Sequence, residues 1–561
     1  MKPLTNIKDE FSIDTAESSL QIKGVLWTSY SEETSLLVKL LKNSSLIQAQ
    51  QELNNLLLHK EIGFLKELDG SFIMSLKNSS TGKSYLYKSL LCKSSVYYRS
   101  IGSKLIWSTN VFDLLDQEKS KLEQIKADSL LLTCFGETVM PNESHFKEIS
   151  RLPAGHILIY EKGHISIKKI DYLNVNPPTT KNIFELAEQT RNILEETSRR
   201  RLNFNKPIGV LLSGGLDSAI ALCVLKRIGA PVVAYHWSFR GIQAADELKY
   251  AKITTQHLDI PLYEIDAVSS IELGTYLNRD WKFTAPYNHG FYRLFEMTRD
   301  LCKEHGVESL ASGYLGDVLF GPVSQDMSTK SLLNPLPLTQ KLKYSLELMG
   351  TRWFGTRKQQ NTGIHPRMSW YKDYMVDNAT QIEKLNSYQS ILSSMNPADF
   401  LMECADSETE SVLESHLFHE KQMDMYHPFA SRELMELSLS IPLPYKMTPT
   451  GGQWVDKSVL RLAYIGLLPP EIISRNHRQL MTAFNEHFII KNRTQIKSLL
   501  INDSILSAYN IVSEAKLESL LNDKRKLAQA ASGLICCCMT EIWLRNLSNH
   551  YTQKYDTQNV L

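Results

Sequence analysis

The residues best suited to chemistry lie in one short string, Ser213–Ser218, which reads Ser-Gly-Gly-Leu-Asp-Ser. Its glycines, Gly214 and Gly215, let the backbone approach an anion closely, and its two serine hydroxyls add hydrogen-bond donors. An apolar run at 209–212, which includes the candidate nucleotide contact Leu211, precedes the string. Helical spacing begins inside the string, so helix N–H groups and the positive end of the helix dipole point at the turn. The pattern predicts a phosphate-binding turn, although Ser-Gly-Gly alone would also suit an ordinary tight connection.

A carboxylate, Asp217, stands inside this predicted phosphate site. Phosphates repel a carboxylate unless a cation lies between them, so Asp217 indicates Mg²⁺ bridging to a nucleotide. The string lacks the Gly-Lys-Ser/Thr ending of a Walker loop and the G-x-G-x-x-G dinucleotide fingerprint. The predicted phosphate site is therefore neither a Walker loop nor a dinucleotide-binding turn.

The segments around the string predict an α/β unit. Apolar residues at helical spacing from Leu216 to Ile228 stop before Gly229, as a helix with a C-terminal glycine should. The run 231–239 then predicts a buried strand, and 246–258 a second helix. In a parallel sheet, ligands bind at the carboxyl ends of the strands, so Trp237 and Ser238 are expected to contact a nucleobase.

Composition excludes several classes of protein. The 561 residues carry 62 basic and 61 acidic side chains, a net charge of +1 that gives no general attraction to nucleic acid. The longest uninterrupted apolar stretches fall far short of the roughly 20 residues of a membrane-spanning helix, and the polar N-terminus has no signal-peptide core. We expect a cytoplasmic protein without nucleic-acid or membrane partners.

Cysteine usage agrees with a reducing compartment. Eight cysteines are too few for a disulfide scaffold, and no Cys-x-x-Cys spacing indicates zinc. Cys536, Cys537 and Cys538 point to different faces of one predicted helix, as buried apolar residues would.

The first 175 residues have a different texture, in which short alternating segments separated by turns predict an antiparallel, sheet-rich domain. These segments are Ser71–Leu76, Ser84–Tyr87, Val96–Arg99, Lys104–Thr109, His156–Tyr160 and His164–Ile170. At the other end, the polar residues 549–561 are predicted to form a disordered tail.

Several of these strings resemble one family. The string at 213–218 resembles the pyrophosphatase loop of ATP-dependent amidotransferases and adenylating ligases, which split ATP between the α and β phosphates. Leu-Asp-Gly-Ser-Phe at 68–72, Tyr-Tyr-Arg at 97–99, Leu-Ile-Trp-Ser-Thr-Asn at 105–110 and Arg-Leu-Pro-Ala-Gly-His at 151–156 resemble the glutaminase domain of asparagine synthetases. The resemblance implies an α/β chain: an Ntn-type, glutaminase-like β-rich sandwich domain over 1–175, then a PP-loop parallel-sheet synthetase domain over 176–548.

The resemblance also implies a second nucleotide motif in Ala-Ser-Gly-Tyr-Leu-Gly-Asp-Val at 311–318. Gly313 would permit close approach to ATP, and Asp317 would be the second Mg²⁺ ligand, although a helix-capping Asp looks the same. Tyr314 matches a tyrosine that β-lactam synthetases place beside the attacking amine, paired with a glutamate. Glu347 is the candidate for that glutamate, and a packing tyrosine and a solvated glutamate are the alternatives.

Cations come from two later segments of the family pattern. Lys457 matches a lysine that contacts the departing pyrophosphate, and with Arg461 four residues later it is expected to share one helix face. A solvated basic face is the alternative. A second, more important lysine of the family falls on His477 here, with Arg478 beside it. Either cation would stabilise charge on the tetrahedral intermediate and pyrophosphate.

One departure from the family pattern concerns the N-terminal domain. The glutaminase nucleophile is a cysteine exposed by removal of the initiator methionine, whereas position 2 here is Lys2 and the first cysteine is Cys92. We therefore expect a glutaminase-like domain without amidase activity, which does not draw ammonia from glutamine.

The combination most resembles the macrolactam synthetases of lasso peptide biosynthesis. The resemblance implies that ATP and Mg²⁺ activate an Asp or Glu side chain of a precursor peptide, which then joins the peptide's own N-terminal amine, with a leader peptidase and a leader-recognition protein as partners. The alternatives are a small-molecule ligase, either β-lactam synthetase-like or an ammonia-dependent asparagine synthetase, and an inactive nucleotide-binding protein. Residues 326–367 interrupt the family core and would either shape a peptide-sized site or form a surface insertion.

Overall fold

The structure is a computed structural model. It describes residues 11–14, 18–29, 48, 51–52, 56, 62–78, 82–102, 104–177, 182–277, 282–287, 289–321, 333, 335–350, 371, 373–376, 379–450, 453–475 and 482–558.

Within these described ranges, sixteen strands form four sheets. The strands are β1 (Phe11–Asp14), β2 (Ser18–Ser29), β3 (Leu68–Asn78), β4 (Lys83–Lys88), β5 (Tyr97–Ile101), β6 (Lys104–Ser108), β7 (Ser150–Arg151), β8 (His156–Glu161), β9 (His164–Lys169), β10 (Ile208–Leu211), β11 (Val232–Ser238), β12 (Leu262–Asp266), β13 (Ser309–Ala311), β14 (Asp424–Tyr426), β15 (Met447–Thr450) and β16 (Gln453–Asp456).

The α-helices span Ala127–Cys134, Ile183–Arg201, Leu216–Arg227, Leu248–Leu258, Gly274–Leu277, Tyr292–Glu304, Gly316–Phe320, Leu338–Gly350, Ala379–Ser394, Pro397–Ala405, Glu408–Leu413, Arg432–Ser440, Leu443–Lys446, Ser458–Tyr464, Pro470–Ile473, Thr482–Lys491, Arg493–Leu500, Ile505–Ala508, Glu514–Asn522 and Lys524–Gln558. Short 3₁₀ turns span Gly63–Glu67, Val111–Leu114, Val268–Ser270 and His419–Lys421, and a π turn spans Glu414–Phe418.

The N-terminal part is antiparallel throughout, as its alternating segments predict. A six-stranded sheet runs in the order β1-β2-β3-β4-β8-β9, and a three-stranded sheet in the order β6-β5-β7. Each predicted segment overlaps an observed strand. Phe72 and Tyr87 face one apolar cluster, whereas Ile73 and Leu86 face another, because successive strand residues point to opposite faces.

The second part contains the predicted parallel sheet, so the α/β fold class is confirmed. Its five strands run in the order β12-β11-β10-β13-β14, and every pair is parallel. The chain builds outward from β10 to β12 and then returns to the other side of β10 with β13. Ligands of such sheets bind at this switch point, beyond the carboxyl ends of β10 and β13.

Helices cover both faces of the parallel sheet and enclose its core. The helix predicted from Leu216 to Ile228 spans Leu216–Arg227, and Gly229 follows it in the left-handed region at φ 83°. This helix shares an apolar cluster with the helices Ile183–Arg201 and Ser458–Tyr464. The opposite face packs toward the long C-terminal helix.

The C-terminal helix corrects two expectations. Its segment Lys524–Ser548 is long and apolar enough to cross a membrane, although 83% of the relevant window is buried inside the protein, as in a core helix. A search for uninterrupted apolar stretches does not detect this segment, because polar residues are interspersed among its apolar residues. The helix also continues to Gln558, so residues 549–558 are helical rather than the predicted tail. Extending a helix that has already formed costs little even for polar residues.

Candidate functional site

A cavity of about 510 Å³ opens at the switch point of the parallel sheet. The loops that follow β10 and β13 supply its floor. Its polar lining includes Ser213, Asp217, Ser218, Asp317, Glu410, His427, Lys457 and Arg475, and its apolar lining includes Trp237, Phe239, Phe291, Phe295, Leu413 and Met425. A nucleotide-sized space therefore meets both a polar and an aromatic wall.

The turn after β10 is held by its own serines. The Ser218 hydroxyl accepts from the backbone N–H of Ser213 at 3.2 Å and lies 3.0 Å from the Ser213 hydroxyl, which in turn accepts from the N–H of Gly215 at 3.2 Å. No side chain within the described part of the chain caps the helix Leu216–Arg227. Its first turn can therefore offer N–H donors to a phosphate.

The loop after β13 interlocks with this turn at two glycines. A Cβ atom on Gly313 would lie 2.8 Å from the backbone nitrogen of Ser218, and one on Gly316 would lie 2.5 Å from Cγ of Asp217. A side chain at position 316 would push the Asp217 carboxylate aside, and one at position 313 would collide with the backbone between Asp217 and Ser218. Gly313 therefore acts by packing against the phosphate turn as well as by lining the cavity.

The carboxylates predicted as magnesium ligands converge on one cation. The Lys457 ammonium lies 2.6 Å from Oδ1 of Asp317 and also contacts Oδ2 of Asp217. It therefore stands where a cation shared by both carboxylates would lie. Two carboxylates, completed by phosphate oxygens and water, fit the coordination of Mg²⁺. The described residues hold no cluster of three or more His, Cys, Asp or Glu side chains suited to a metal, so the aspartate pair is the candidate.

Lys457 and Arg461 do not share a helix face as expected. Lys457 precedes the helix Ser458–Tyr464 in the left-handed region, at φ 56°, which turns its side chain toward the aspartates. Arg461 instead donates to the Asp456 carboxylate at 2.8 Å and to the carbonyl of Ile473 at 2.6 Å. Only the first of these cations is aimed at the predicted metal site.

The cations predicted at His477 and Arg478 lie outside the described residues. Just before them, Arg475 lines the cavity and donates to the carbonyl of Gly214 at 3.0 Å, while also forming an ion pair with Glu247. Gly214 itself sits at φ +92°, and a Cβ there would meet Glu247 at 2.9 Å. Gly214 thus allows the turn to pack closely against Glu247, and Arg475 holds the turn in place through the Gly214 carbonyl.

The aromatic wall of the cavity begins at Trp237, near the end of β11. Trp237 lines the cavity, donates its indole N–H to Thr298 at 2.8 Å and stacks near Phe291. Ser238 is corrected: it is only 2% exposed and does not line the cavity. Its neighbour His236 does line it, with Nδ1–H donating to the carbonyl of Leu212 at 2.7 Å.

Tyr314, directly after Gly313, also lines the cavity. Its hydroxyl donates to the carbonyl of Cys404 at 2.5 Å, and burial, followed by the charges of Glu410 and Glu414, raises its pKa far above the ordinary value. Glu347 lies on the helix Leu338–Gly350 and does not line this cavity. The carboxylate that does line it beside Tyr314 is Glu410.

Glu410 has the electrostatics of an acid–base group. Burial raises its pKa to about 7; the neighbouring Glu414 adds to the rise and Lys93 opposes it. A carboxyl group that titrates near neutral pH can take up and release a proton under working conditions. Distance along the sequence from Tyr314 favours Glu347 over Glu410, because residues 326–367 lie between Tyr314 and Glu410.

His427 also lines the cavity, although no spacing in the sequence indicates it. Its ring lies 5.0 Å from the ring of Tyr314, centroid to centroid. The Tyr-His-Pro-Phe string gave no signal for this role, because it depends on which residues the fold places around the ring.

Cys92 cannot serve as a substitute nucleophile in the N-terminal domain. Its side chain is buried, and burial raises the pKa of the thiol to about 11. A thiol with so high a pKa stays protonated near pH 7. Lys2 lies outside the described residues.

The interlocked glycines lead to a first prediction. Gly316→Ala is expected to weaken binding of magnesium ATP by about 5–150-fold, because the new methyl group displaces the Asp217 carboxylate, and such overpacking costs ~1–3 kcal/mol. Titration calorimetry measures the affinity. Gly63→Ala is the matched control, since its Cβ would meet nothing within 4 Å. Equal affinity of both variants would contradict the interlock.

Comparison with known proteins identifies the family. The model of the family described as asparagine synthase matches residues 189–545. A putative asparagine synthetase (glutamine-hydrolyzing) 2 of Methanocaldococcus jannaschii is 27% identical over 280 residues, 47% of this chain and 52% of that protein. The asparagine synthetase (glutamine-hydrolyzing) 3 of Bacillus subtilis is 21% identical over 447 residues, 75% of this chain and 69% of that protein.

The chain spans about half the length of the first of these relatives. Among solved structures, the NH3-dependent NAD synthetase of Campylobacter jejuni aligns with 43% of this chain and 97% of its own, at 13% identity and a TM-score of 0.18, which is too low to carry a structural argument. The family model, in contrast, matches more than half of the residues. The chain therefore belongs to the asparagine synthase family.

Proposed function

We propose that the protein forms an amide bond in two steps, by first activating a carboxylate with ATP as an acyl-adenylate. The observation that carries the proposal is the convergence of Asp217 and Asp317 on one cation beside the serine-glycine turn. Phosphates on that turn would share the cation with the carboxylates. Such an arrangement suits the transfer of the AMP group of ATP to a substrate carboxylate.

In the first step, an oxygen of the substrate carboxylate attacks the α-phosphorus of ATP, and pyrophosphate leaves. Mg²⁺, held by Asp217 and Asp317, would neutralise charge on the phosphates. The hydroxyls of Ser213 and Ser218 and the helix N-terminus hold the phosphates in place, and Lys457 supplies a cation for the departing pyrophosphate. Adenylation is needed because a free carboxylate is a poor acyl donor.

In the second step, an amine attacks the activated carbonyl carbon, and AMP leaves with the carboxylate oxygen. An organic amine is protonated near neutral pH and must lose a proton before or during attack. Glu410 lies beside Tyr314 and titrates near 7, so its ionised form can accept that proton. The aromatic and aliphatic wall keeps water from the activated ester.

The proposed substrate is a precursor peptide whose Asp or Glu side chain is joined to its own N-terminal amine, closing a macrolactam. The presence of Tyr314, which resembles the tyrosine that β-lactam synthetases place beside an organic amine, supports this over the use of free ammonia. The proposal includes a leader peptidase and a leader-recognition protein as partners in the cytoplasm, without nucleic acid or membrane. A small-molecule ligase of the β-lactam synthetase type would use the same groups.

The test offers magnesium ATP together with candidate precursor peptides whose leader has been removed. We expect a product lighter by one water, with stoichiometric AMP and pyrophosphate. Free aspartate with ammonia, and a β-amino acid, are offered in parallel. Turnover with either of these and none with any peptide would reject the macrolactam proposal, and the absence of AMP with every acceptor would reject the ligase.

A further inference from the structure

An acidic segment, residues 406–414, makes several of the buried contacts between the N-terminal domain and the synthetase domain. Lys88 forms a buried ion pair with Asp406 at 2.5 Å, and the Tyr97 hydroxyl donates to Glu408 at 2.8 Å. His145 also contacts Glu408, at 3.0 Å. This segment is the helix Glu408–Leu413 with the start of the π turn that follows it, and it carries Glu410 into the cavity.

Lys93 extends this interface to the edge of the cavity. Its ammonium lies 2.6 Å from Oε1 of Glu414 and 5.3 Å from the centroid of the Tyr314 ring. The Glu414 side chain is only 4% exposed and that of Lys93 is 22% exposed. A buried carboxylate needs such a partner, because an unpaired one is costly in an apolar environment.

A directed chain of hydrogen bonds runs from Glu414 back to the backbone of Tyr314. Burial, followed by Lys93, lowers the pKa of His427, so the imidazole is neutral and carries one proton. That proton is on Nε2, since the Glu414 carboxylate, at 2.9 Å, can only accept. Nδ1 then accepts from the Ser312 hydroxyl at 2.8 Å, which itself accepts from the N–H of Tyr314 at 3.2 Å.

We propose that Lys93, supplied by the N-terminal domain, is a positioning residue for amide formation. It fixes Glu414, which follows Glu410 by four residues, and through His427 and Ser312 it fixes the backbone of Tyr314. The N-terminal domain thereby supports the part of the cavity around Tyr314 and Glu410, where the amine would bind. This inference rests on the proposed function, and it gives the domain a role that needs no amidase activity.

The charges around Glu410 support this role. Burial alone would raise the pKa of Glu414, but Lys93 and then His427 hold it at about 2, so Glu414 is ionised. Glu410 faces that charge, the Lys93 cation and the phenols of Tyr314 and Tyr287. Asp406 and Cys404 lie near Tyr314. Within this group Lys93 is the cation that opposes the rise of the Glu410 pKa.

The experiment compares Lys93→Met and Lys93→Arg with the wild type in two partial reactions. Amide formation by Lys93→Met is expected to fall by about 10–100-fold, whereas ATP–pyrophosphate exchange stays within about threefold, because the phosphate turn is untouched. The midpoint of the pH–rate profile should move to higher pH, since the cation that lowers the pKa of Glu410 is gone. Lys93→Arg should restore most of both effects.

Lys169→Met is the matched control. Lys169 also pairs across the domains, with Asp399 at 2.6 Å, but neither residue lines the cavity. Its loss should change neither the rate nor the midpoint. An unchanged pH profile in Lys93→Met, or an equal loss in Lys169→Met, would overturn the proposal.

A measurement without turnover separates this inference from the proposed function. Lys93→Met should lower the melting temperature by leaving Glu414 buried without its cation, and adding Glu414→Gln should recover part of the loss. If the wild type exchanges no pyrophosphate, the proposed function fails regardless of this result. If the melting temperatures of Lys93→Met and the wild type agree, the contact itself is disproved and the inference falls.

Discussion

Asp217→Asn is expected to slow ATP–pyrophosphate exchange by about 10²–10³-fold, while the melting temperature changes little. The asparagine keeps the volume of the side chain but loses the charge that holds a cation between Asp217 and Asp317. Lys457 keeps an ion pair with Asp317 at 2.6 Å, so no buried ammonium is left without a partner. The exchange rate and the magnesium dependence of that rate are the measurements.

Two further variants make this prediction specific. Asp317 is 53% exposed in its side chain against 14% for Asp217, so Asp317→Asn should cost less. Asp266 ends the edge strand β12, which β11 separates from β10, and it does not line the cavity, so Asp266→Asn should exchange at the wild-type rate. A wild-type rate in Asp217→Asn would show that the cation is not held where these carboxylates meet.

Glu410→Gln should separate the two partial reactions. Amide formation is expected to fall by about 10²–10⁴-fold, because the amide side chain cannot accept a proton from the attacking amine, while exchange continues. In the wild type, the rate of amide formation should rise with pH through a midpoint near 7, the value to which burial raises the pKa of Glu410. In the variant that rise should disappear.

Glu347→Gln is the comparison built into the same chain. Glu347 was the glutamate selected from the sequence, and it lies on a helix outside the lining of the cavity. We expect wild-type amide formation from this variant. A large loss from Glu347→Gln together with none from Glu410→Gln would reverse the assignment.

Local patterns were enough to predict the strand, glycine turn and helix around residues 213–218 and the parallel sheet that holds them. An apolar strand, a glycine turn and a helix that ends at Gly229 are all determined within about 20 residues, and β10 with the helix Leu216–Arg227 appears as predicted. The convergence of Asp217 and Asp317 also follows from topology, because loops after adjacent parallel strands meet at one edge.

Contacts between distant residues could not be predicted in the same way. Lys93 and Glu414 are 321 residues apart, and neither stands in a string whose spacing indicates chemistry. The family pattern places the cation at His477 or Arg478 and not at Arg475, because alignment with a pattern carries no information about where a side chain points. Ser238 was expected in the cavity from its neighbour Trp237, yet the fold buries it.

The most direct test of the account is an oxygen-transfer experiment on the first step. A substrate whose reacting carboxylate is labelled with ¹⁸O is converted with magnesium ATP, and the phosphorus products are analysed by mass spectrometry. If an acyl-adenylate forms on the Ser213–Ser218 turn, one labelled oxygen appears in AMP and none in pyrophosphate. Label in inorganic phosphate, or an AMP without label, would contradict activation at the α-phosphorus.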